Sequence, residues 1–236
     1  MRHTSPFSSA ILFFTIWLLQ SCNFSADVIK KDDLRKMTPA QALQRLVDGN
    51  KRFQTGGLKQ YRLKDQTYYL GKNNAYPPAI VLCSPDSRVS PELIFNQGLG
   101  DIYVLRAPAS IATLENLGAM EHAAREIGSK VLVILVQSKD PYIEAAIDMN
   151  NTGNFAAINY HIRPALDNIK RDPYWKRWRK DELITLVTRE HLLLLLAKVK
   201  NTSAILRGKV ESGELTIVAG IYDIESGKVN FINSDE

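Results

Sequence analysis

Short, unbroken apolar runs separated by amphipathic stretches organise this chain. Ala79-Ile80-Val81-Leu82-Cys83 stands between Pro77-Pro78 and Ser84-Pro85. Its length and its flanking breakers predict a strand buried on both faces, although periodicity alone does not exclude a helix. Ile102 to Leu105 and Val131 to Val136 repeat the pattern, and Leu215 to Gly220 gives a fourth strand. Ser226-Gly227-Lys228 then reads as a hairpin turn into an antiparallel edge, Val229 to Ile232. Helical patterns lie between the strands. Thr38-Pro39-Ala40-Gln41 is an N-cap, a first-turn proline and a capping glutamine, followed by Leu43, Leu46 and Val47 at helical spacing. Ser90-Pro91 opens a short helix, Leu114 to Ile127 presents one mostly apolar face, and a helix runs from Tyr142 to about Met149. Leu183 to Val199 is a strongly apolar helix whose Leu192 to Leu196 run should be buried on nearly all sides. Residues 54–78 read as loop and irregular helix, and 150–190 as the least regular part. Strands alternating with helices predict an α/β fold, a mostly parallel β-sheet flanked by helices, in a single domain over residues 37–236.

The 236 residues suit one such domain, and their 45% hydrophobic and 23% charged content is ordinary for a soluble one. A net charge of +5 is mild, and no nucleic-acid partner is expected. The N-terminus stands apart from the fold. Arg2 and His3 precede an apolar stretch from Ile11 to Leu19, too short for the roughly 20 residues of a spanning helix. That is a secretory signal, and its end, Leu19-Gln20-Ser21-Cys22, resembles the bacterial lipobox. Residues 1–22 are therefore expected to be a lipoprotein signal peptide with Cys22 as the lipidated residue, and 23–36 a tether. A plain signal peptide with an incidental cysteine is the other reading. Asn23 in place of aspartate points to the periplasmic face of an outer membrane, with the membrane contacted through the lipid anchor. With Cys22 acylated, Cys83 is the remaining cysteine, which excludes an intramolecular disulfide.

Chemistry-bearing residues gather where the first and third strands end, and ligands of open parallel sheets bind outside the carboxyl ends of strands. After the first strand come Cys83, Ser84, Asp86 and Arg88; the second ends at Arg106; after the third come Gln137, Ser138 and Asp140. Asp86 and Arg88 form either a pair that orients a small anion or water, or a brace for their own turn. Ser84, Arg106 and Gln137 are candidate anion contacts, although Gln137 and Ser138 read more simply as local turn bonding. Asp140, directly before Pro141, reads first as a helix N-cap and second as a metal ligand. Cys83 is a candidate ligand or reactive thiol, but as the end of a buried strand it reads as a small hydrophobe. Ser84 has no histidine in its sequence context to act as its base. His3, His122, His161 and His191 are scattered, and none forms a metal-spaced pair. Lys170 to Lys180 interleaves basic and aromatic residues, and suits either anionic headgroups or a solvated face with two buried tryptophans.

From about Thr38 to Ile232 the chain resembles the β-class carbonic anhydrases. The resemblance is carried by Ala42 to Phe53, by Asp86-Ser87-Arg88-Val89-Ser90-Pro91-Glu92, by Gly98 to Arg106, and by Gly213 to Asp223 with Ser226 to Val229. It implies a homodimer or higher oligomer with the active site near the interface. It also implies a zinc ion that activates water against carbon dioxide, held by Cys-x-Asp-x-Arg and His-x-x-Cys motifs. Against those motifs Ser84 stands where the first cysteine belongs, with Cys83 one residue early; Gln137 replaces the histidine and Asp140 the second cysteine. Asp86 and Arg88 match the catalytic pair. The resemblance thus implies an envelope protein with a degraded zinc site. Such a protein is weak or inactive in CO2 hydration, retains bicarbonate or another small anion as partner, and needs no cofactor unless zinc is recruited around Cys83. The alternatives are a working carbonic anhydrase, a lyase, with a rearranged or absent metal, and a non-catalytic dimeric scaffold.

Overall fold

The chain is described by a computed structural model over residues 27–232; the expected signal peptide and Cys22 lie outside the described residues. The first helix, α1 (Lys31–Lys36), falls where a tether was expected, and its Leu34 is buried. One apolar residue in six gives no periodicity to read. Helix α2 (Pro39–Thr55) starts as anticipated: Thr38 Oγ1 accepts the Gln41 N–H, and the Gln41 side chain accepts the Thr38 N–H. Then follow α3 (Leu63–Leu70), β1 (Ala79–Cys83), α4 (Pro91–Ile94), β2 (Ile102–Arg106) and α5 (Leu114–His122), which widens into a π-turn over Ala123–Ile127. Strand β3 (Val131–Gln137) leads to α6 (Pro141–Ile147), α7 (Phe155–Ile169), α8 (Lys180–Thr202), α9 (Ala204–Glu211), β4 (Thr216–Tyr222) and β5 (Val229–Ile232). The segment read as least regular thus contains a 15-residue helix.

The five strands lie in the order β2-β1-β3-β4-β5, parallel except for the antiparallel β5. Side chains alternate across the sheet. Ile80, Leu82, Leu132, Ile134 and Val136 enter one core with α5, α8 and α9. Ala79, Val81, Cys83, Val131, Val133 and Leu135 enter a second core with α2 and α4. A third cluster joins α6, α7 and α8. Leu192, Leu195 and Leu196 of the long helix are buried, whereas Leu193 and Leu194 are only partly so, because α7 covers one side and no second sheet covers the other.

Helix α2 lies close to the end of α4 because Gly49 has no side chain. A Cβ there would stand 1.6 Å from the Phe95 carbonyl oxygen. Asn50, one residue on, is buried and bonds two separate segments. Its Nδ2 donates to the Ile94 and Gly227 carbonyls at 3.1 and 2.8 Å, and its Oδ1 accepts the Val229 N–H at 2.9 Å. This ties α2 to α4 and to the hairpin before β5. The signal was in the sequence: Ala42, Leu46 and Asn50 recur at four-residue spacing, so Asn50 falls on the apolar face.

Candidate functional site at the ends of β1 and β3

After β1 the chain goes to β2 on one side of it, then crosses to β3 on the other. The switch point of the sheet therefore falls between the carboxyl ends of β1 and β3, where open α/β sheets place their ligands. Both predicted turns open there, and the structure brings Ser84, Asp86, Arg88, Gln137 and Asp140 together.

Asp86 is the hub. Its Oδ1 accepts the Arg88 backbone N–H at 2.9 Å and the Arg88 Nε at 3.0 Å, and its Oδ2 accepts Arg88 Nη2 at 2.6 Å. The same Oδ2 accepts Gln137 Nε2 at 2.8 Å, a bond that joins the two turns across 51 positions of sequence. Ser84 is fully buried, and its hydroxyl oxygen accepts the Asp86 N–H at 3.2 Å. The forked bond from Arg88 holds the Asp86 carboxyl far below the usual carboxylate range, helped by Gln137, and Asp86 in turn raises the Arg88 pKa. Asp86 is tucked in while the Arg88 side chain is 52% exposed, so its outer face is open to a ligand from solvent.

Asp140 caps α6: its Oδ1 accepts the N–H groups of Tyr142 at 2.8 Å and Ile143 at 3.3 Å. The cap reading of Asp-Pro holds. Burial pushes its carboxyl up to about 6; the two N–H groups act against this, and the neighbouring Asp86 charge adds to it. Asp140 Oδ2 and Gln137 Oε1 are both buried acceptors with no donor among the described residues. Ser138 does what a turn serine does, accepting the Ile224 N–H at 3.1 Å.

Two candidate residues stand outside this cluster. Cys83 does not join the cluster. It is fully buried on the same face as Ala79 and Val81, packed in the core beneath α2, and burial pushes its thiol up to about 12. The side-chain period of a strand is two, so Cys83 and Ser84 leave on opposite sides. Arg106, a candidate anion contact, braces the turn. Its Nη1 donates to the carbonyls of Ser84 at 3.2 Å and Val89 at 2.7 Å. His191 is buried with Nε2 bonded to the Ala109 carbonyl at 2.9 Å, His161 lines with it a cleft between α7 and α8, and His122 is exposed. No group of three or more His, Cys, Asp or Glu side chains able to hold a metal occurs among the described residues. The link from Gln137 to Asp86 and the bracing role of Arg106 were missed, since neither partner is near in sequence.

The carbonic anhydrase family profile matches residues 79–229 of this chain. Carbonic anhydrase 2 of Mycobacterium tuberculosis is 26% identical over 196 residues, covering 80% of this chain and 91% of that protein. The carbonic anhydrase of Synechococcus elongatus is 23% identical over 201 residues, covering 79% of this chain and 70% of that protein. Among solved structures, the β-carbonic anhydrase CcaA superposes with a TM-score of 0.65 at 23% identity, covering 82% of this chain and 96% of that one. A structure from a study of two tetrameric β-carbonic anhydrases of Sordaria macrospora gives 0.63 at 16% identity, covering 72% and 92%. The matched segment holds the four parallel strands and both turns of the switch point, and this chain belongs to the β-carbonic anhydrase family.

Proposed function

We propose that this protein is a family member that has given up zinc-dependent hydration of carbon dioxide and keeps a crevice for bicarbonate or a similar small anion. The observation that carries the reading is the parity of β1. The thiol of Cys83 faces the core under α2, while Ser84, on the crevice side, spends its hydroxyl on the Asp86 N–H. Zinc is held by thiolate and imidazole, with carboxylate as a further ligand. The crevice offers a hydroxyl, an amide oxygen and two carboxylates, one of them clamped by Arg88. These residues do not fit a zinc ion.

What they fit is a positioned guanidinium. Asp86 fixes Arg88 through two parallel bonds, leaving its outer face to meet the two oxygens of a small planar anion. Gln137 keeps Asp86 in place. Asp140 loses its charge as pH falls through about 6 and then no longer repels the anion. Dimerisation, and attachment to the cell envelope through Cys22, complete the proposal.

The test is the zinc content of the full-length chain, its CO2 hydration rate, and its melting temperature in bicarbonate. The expected result is no stoichiometric zinc, no azide-sensitive hydration, and a melting temperature that rises with bicarbonate, by linkage, in the wild type. That rise should disappear in Arg88→Gln. One zinc per chain with rapid azide-sensitive hydration would overturn the reading. A melting temperature indifferent to bicarbonate would favour the dimeric scaffold.

A further inference from the structure

The segment that follows α7 carries a feature unrelated to the crevice. Lys170, Arg171, Lys176 and Arg177 make no ion pair with a carboxylate among the described residues. The nearby acids are already engaged: Glu144 and Asp148 by Lys180, and Asp172 by the Tyr174 N–H at 2.7 Å. The cations are interleaved with rings. Lys170 and Lys176 lie 5.2 and 5.8 Å from the centre of the Trp175 ring, and the Arg177 guanidinium lies 4.6 Å from that of Tyr174. Trp178 packs inward on the helical cluster, which fixes the turn, while Tyr174 remains 57% exposed. The expectation of two buried tryptophans is therefore not met: both are only partly covered.

The patch continues beyond the turn. Lys170 also lines a cleft of about 450 Å³ between α6 and α7, with Ala146, Ala156 and Leu166 as apolar lining. Met149 and Tyr160, on its rim, are 69% and 75% exposed. Asn159, in the same cleft, is nine-tenths buried and its Oδ1 has no donor among the described residues. Free cations, exposed aromatic rings, and an apolar cleft with a buried acceptor that a headgroup hydroxyl would satisfy lie side by side.

We propose that this face docks on an anionic phospholipid surface: the cations meet the phosphates, Tyr174 and Trp175 sit at headgroup level, and the cleft takes part of one lipid. Charge complementarity selects the occupant, because unpaired lysines and arginines beside a membrane are drawn to anionic lipid. Aromatic rings with a polar edge favour that same interface. Base stacking in a nucleic acid fits less well, since cations already lie over the faces of both rings.

The experiment follows amide hydrogen exchange in the full-length chain bound to vesicles of phosphatidylcholine alone, or with about one quarter phosphatidylglycerol. The design rests on the attachment through Cys22 proposed above, which serves both vesicles, so the readout is local to residues 170–178 and 149–160. Exchange there should slow roughly tenfold on the anionic vesicles only, and recover in about 0.5 M salt, where the Debye length shrinks to a few ångströms. In the double variant Lys176→Glu, Arg177→Glu the difference between vesicles should vanish, while protection of β3 is unchanged. Equal exchange on both vesicles would overturn the proposal. So would protection that follows protein concentration, which assigns the face to a second copy, or protection by a short RNA without vesicles.

Discussion

Asp140 carries two opposed contributions, and the substitution Asp140→Asn separates them. Its Oδ1 caps α6, and Asn is as good an N-cap as Asp, so the bonds to the Tyr142 and Ile143 N–H groups should persist. Its charge is buried beside Asp86. The carboxyl ionises near 3.9 in an unfolded chain and at about 6 here. That gap of roughly two pH decades, at about 1.36 kcal/mol each, sets an upper value of about 3 kcal/mol lost to ionising Asp140 in the fold. A raised carboxyl pKa means that the folded state holds the proton more tightly. The stability it confers is complete below about pH 4 and is lost as pH rises through about 6. The asparagine of the variant suffers no such loss, and it places an amide N–H where a second negative charge stood near Asp86. The variant should therefore match the wild type near pH 4 and exceed it by about 1–3 kcal/mol near pH 8. Urea unfolding at several pH values measures this. His191 titrates in the opposite sense. Burial pushes it down to about 4, so it removes stability as pH falls from about 6.5 towards 4. It does so equally in both proteins and cancels in their difference. A difference that is the same at every pH, or a variant less stable than the wild type at pH 8, would refute the reasoning.

Three further substitutions probe the packing of α2 and the cluster at the switch point. Gly49→Ala drives a methyl group into the Phe95 carbonyl, backbone that cannot yield, and should cost more than about 3 kcal/mol or leave the chain insoluble, as read by denaturant unfolding. Asn50→Ala strips partners from the Ile94 and Gly227 carbonyls and the Val229 N–H. A loss of about 3 kcal/mol or more is expected in the same assay, with faster amide exchange at Val229. Gln137→Glu puts a second carboxylate where the donor to Asp86 stood. It should destabilise by about 2 kcal/mol near pH 8 and progressively less towards pH 5, as one of the two acids takes a proton; a pH-independent cost would sink this account.

Strands β1 and β3 were legible because each is an unbroken apolar run between breakers, and a strand buried on both faces has to be such a run. The start of α2 and the cap of α6 were legible because Thr38-Pro39 and Asp140-Pro141 satisfy local bonds with local residues. Helix α7 was not. Asn154 makes no side-chain cap, and Pro164 sits inside the helix, so the start and the interior of its pattern were obscured. Within the crevice, the helix cap was readable, while the bond from Gln137 to Asp86 depends on two strands lying side by side and has no local trace.

The ordering of Cys83 and Ser84 lies between these cases, and the packing gives it weight. On the α2 side β1 presents Ala79, Val81 and Cys83; on the α5 and α8 side it presents Ile80 and Leu82. Turning the thiol into the crevice by a one-residue slip would exchange the two sets. Isoleucine and leucine would then press towards α2, the helix that Gly49 lets approach to the Phe95 backbone, and the larger core opposite would be left with alanine and valine. One side would be overpacked and the other hollowed, each at a cost of a few kcal/mol. Only a local change at Ser84-Pro85, with the strand held in register, could bring sulfur to the crevice. There Arg106 already clamps the Ser84 and Val89 carbonyls. A fold that braces this turn so firmly holds the serine, not the cysteine, on the side of Asp86 and Gln137, and that is the physical reason to test the proposed anion binding at Arg88 before looking for a metal.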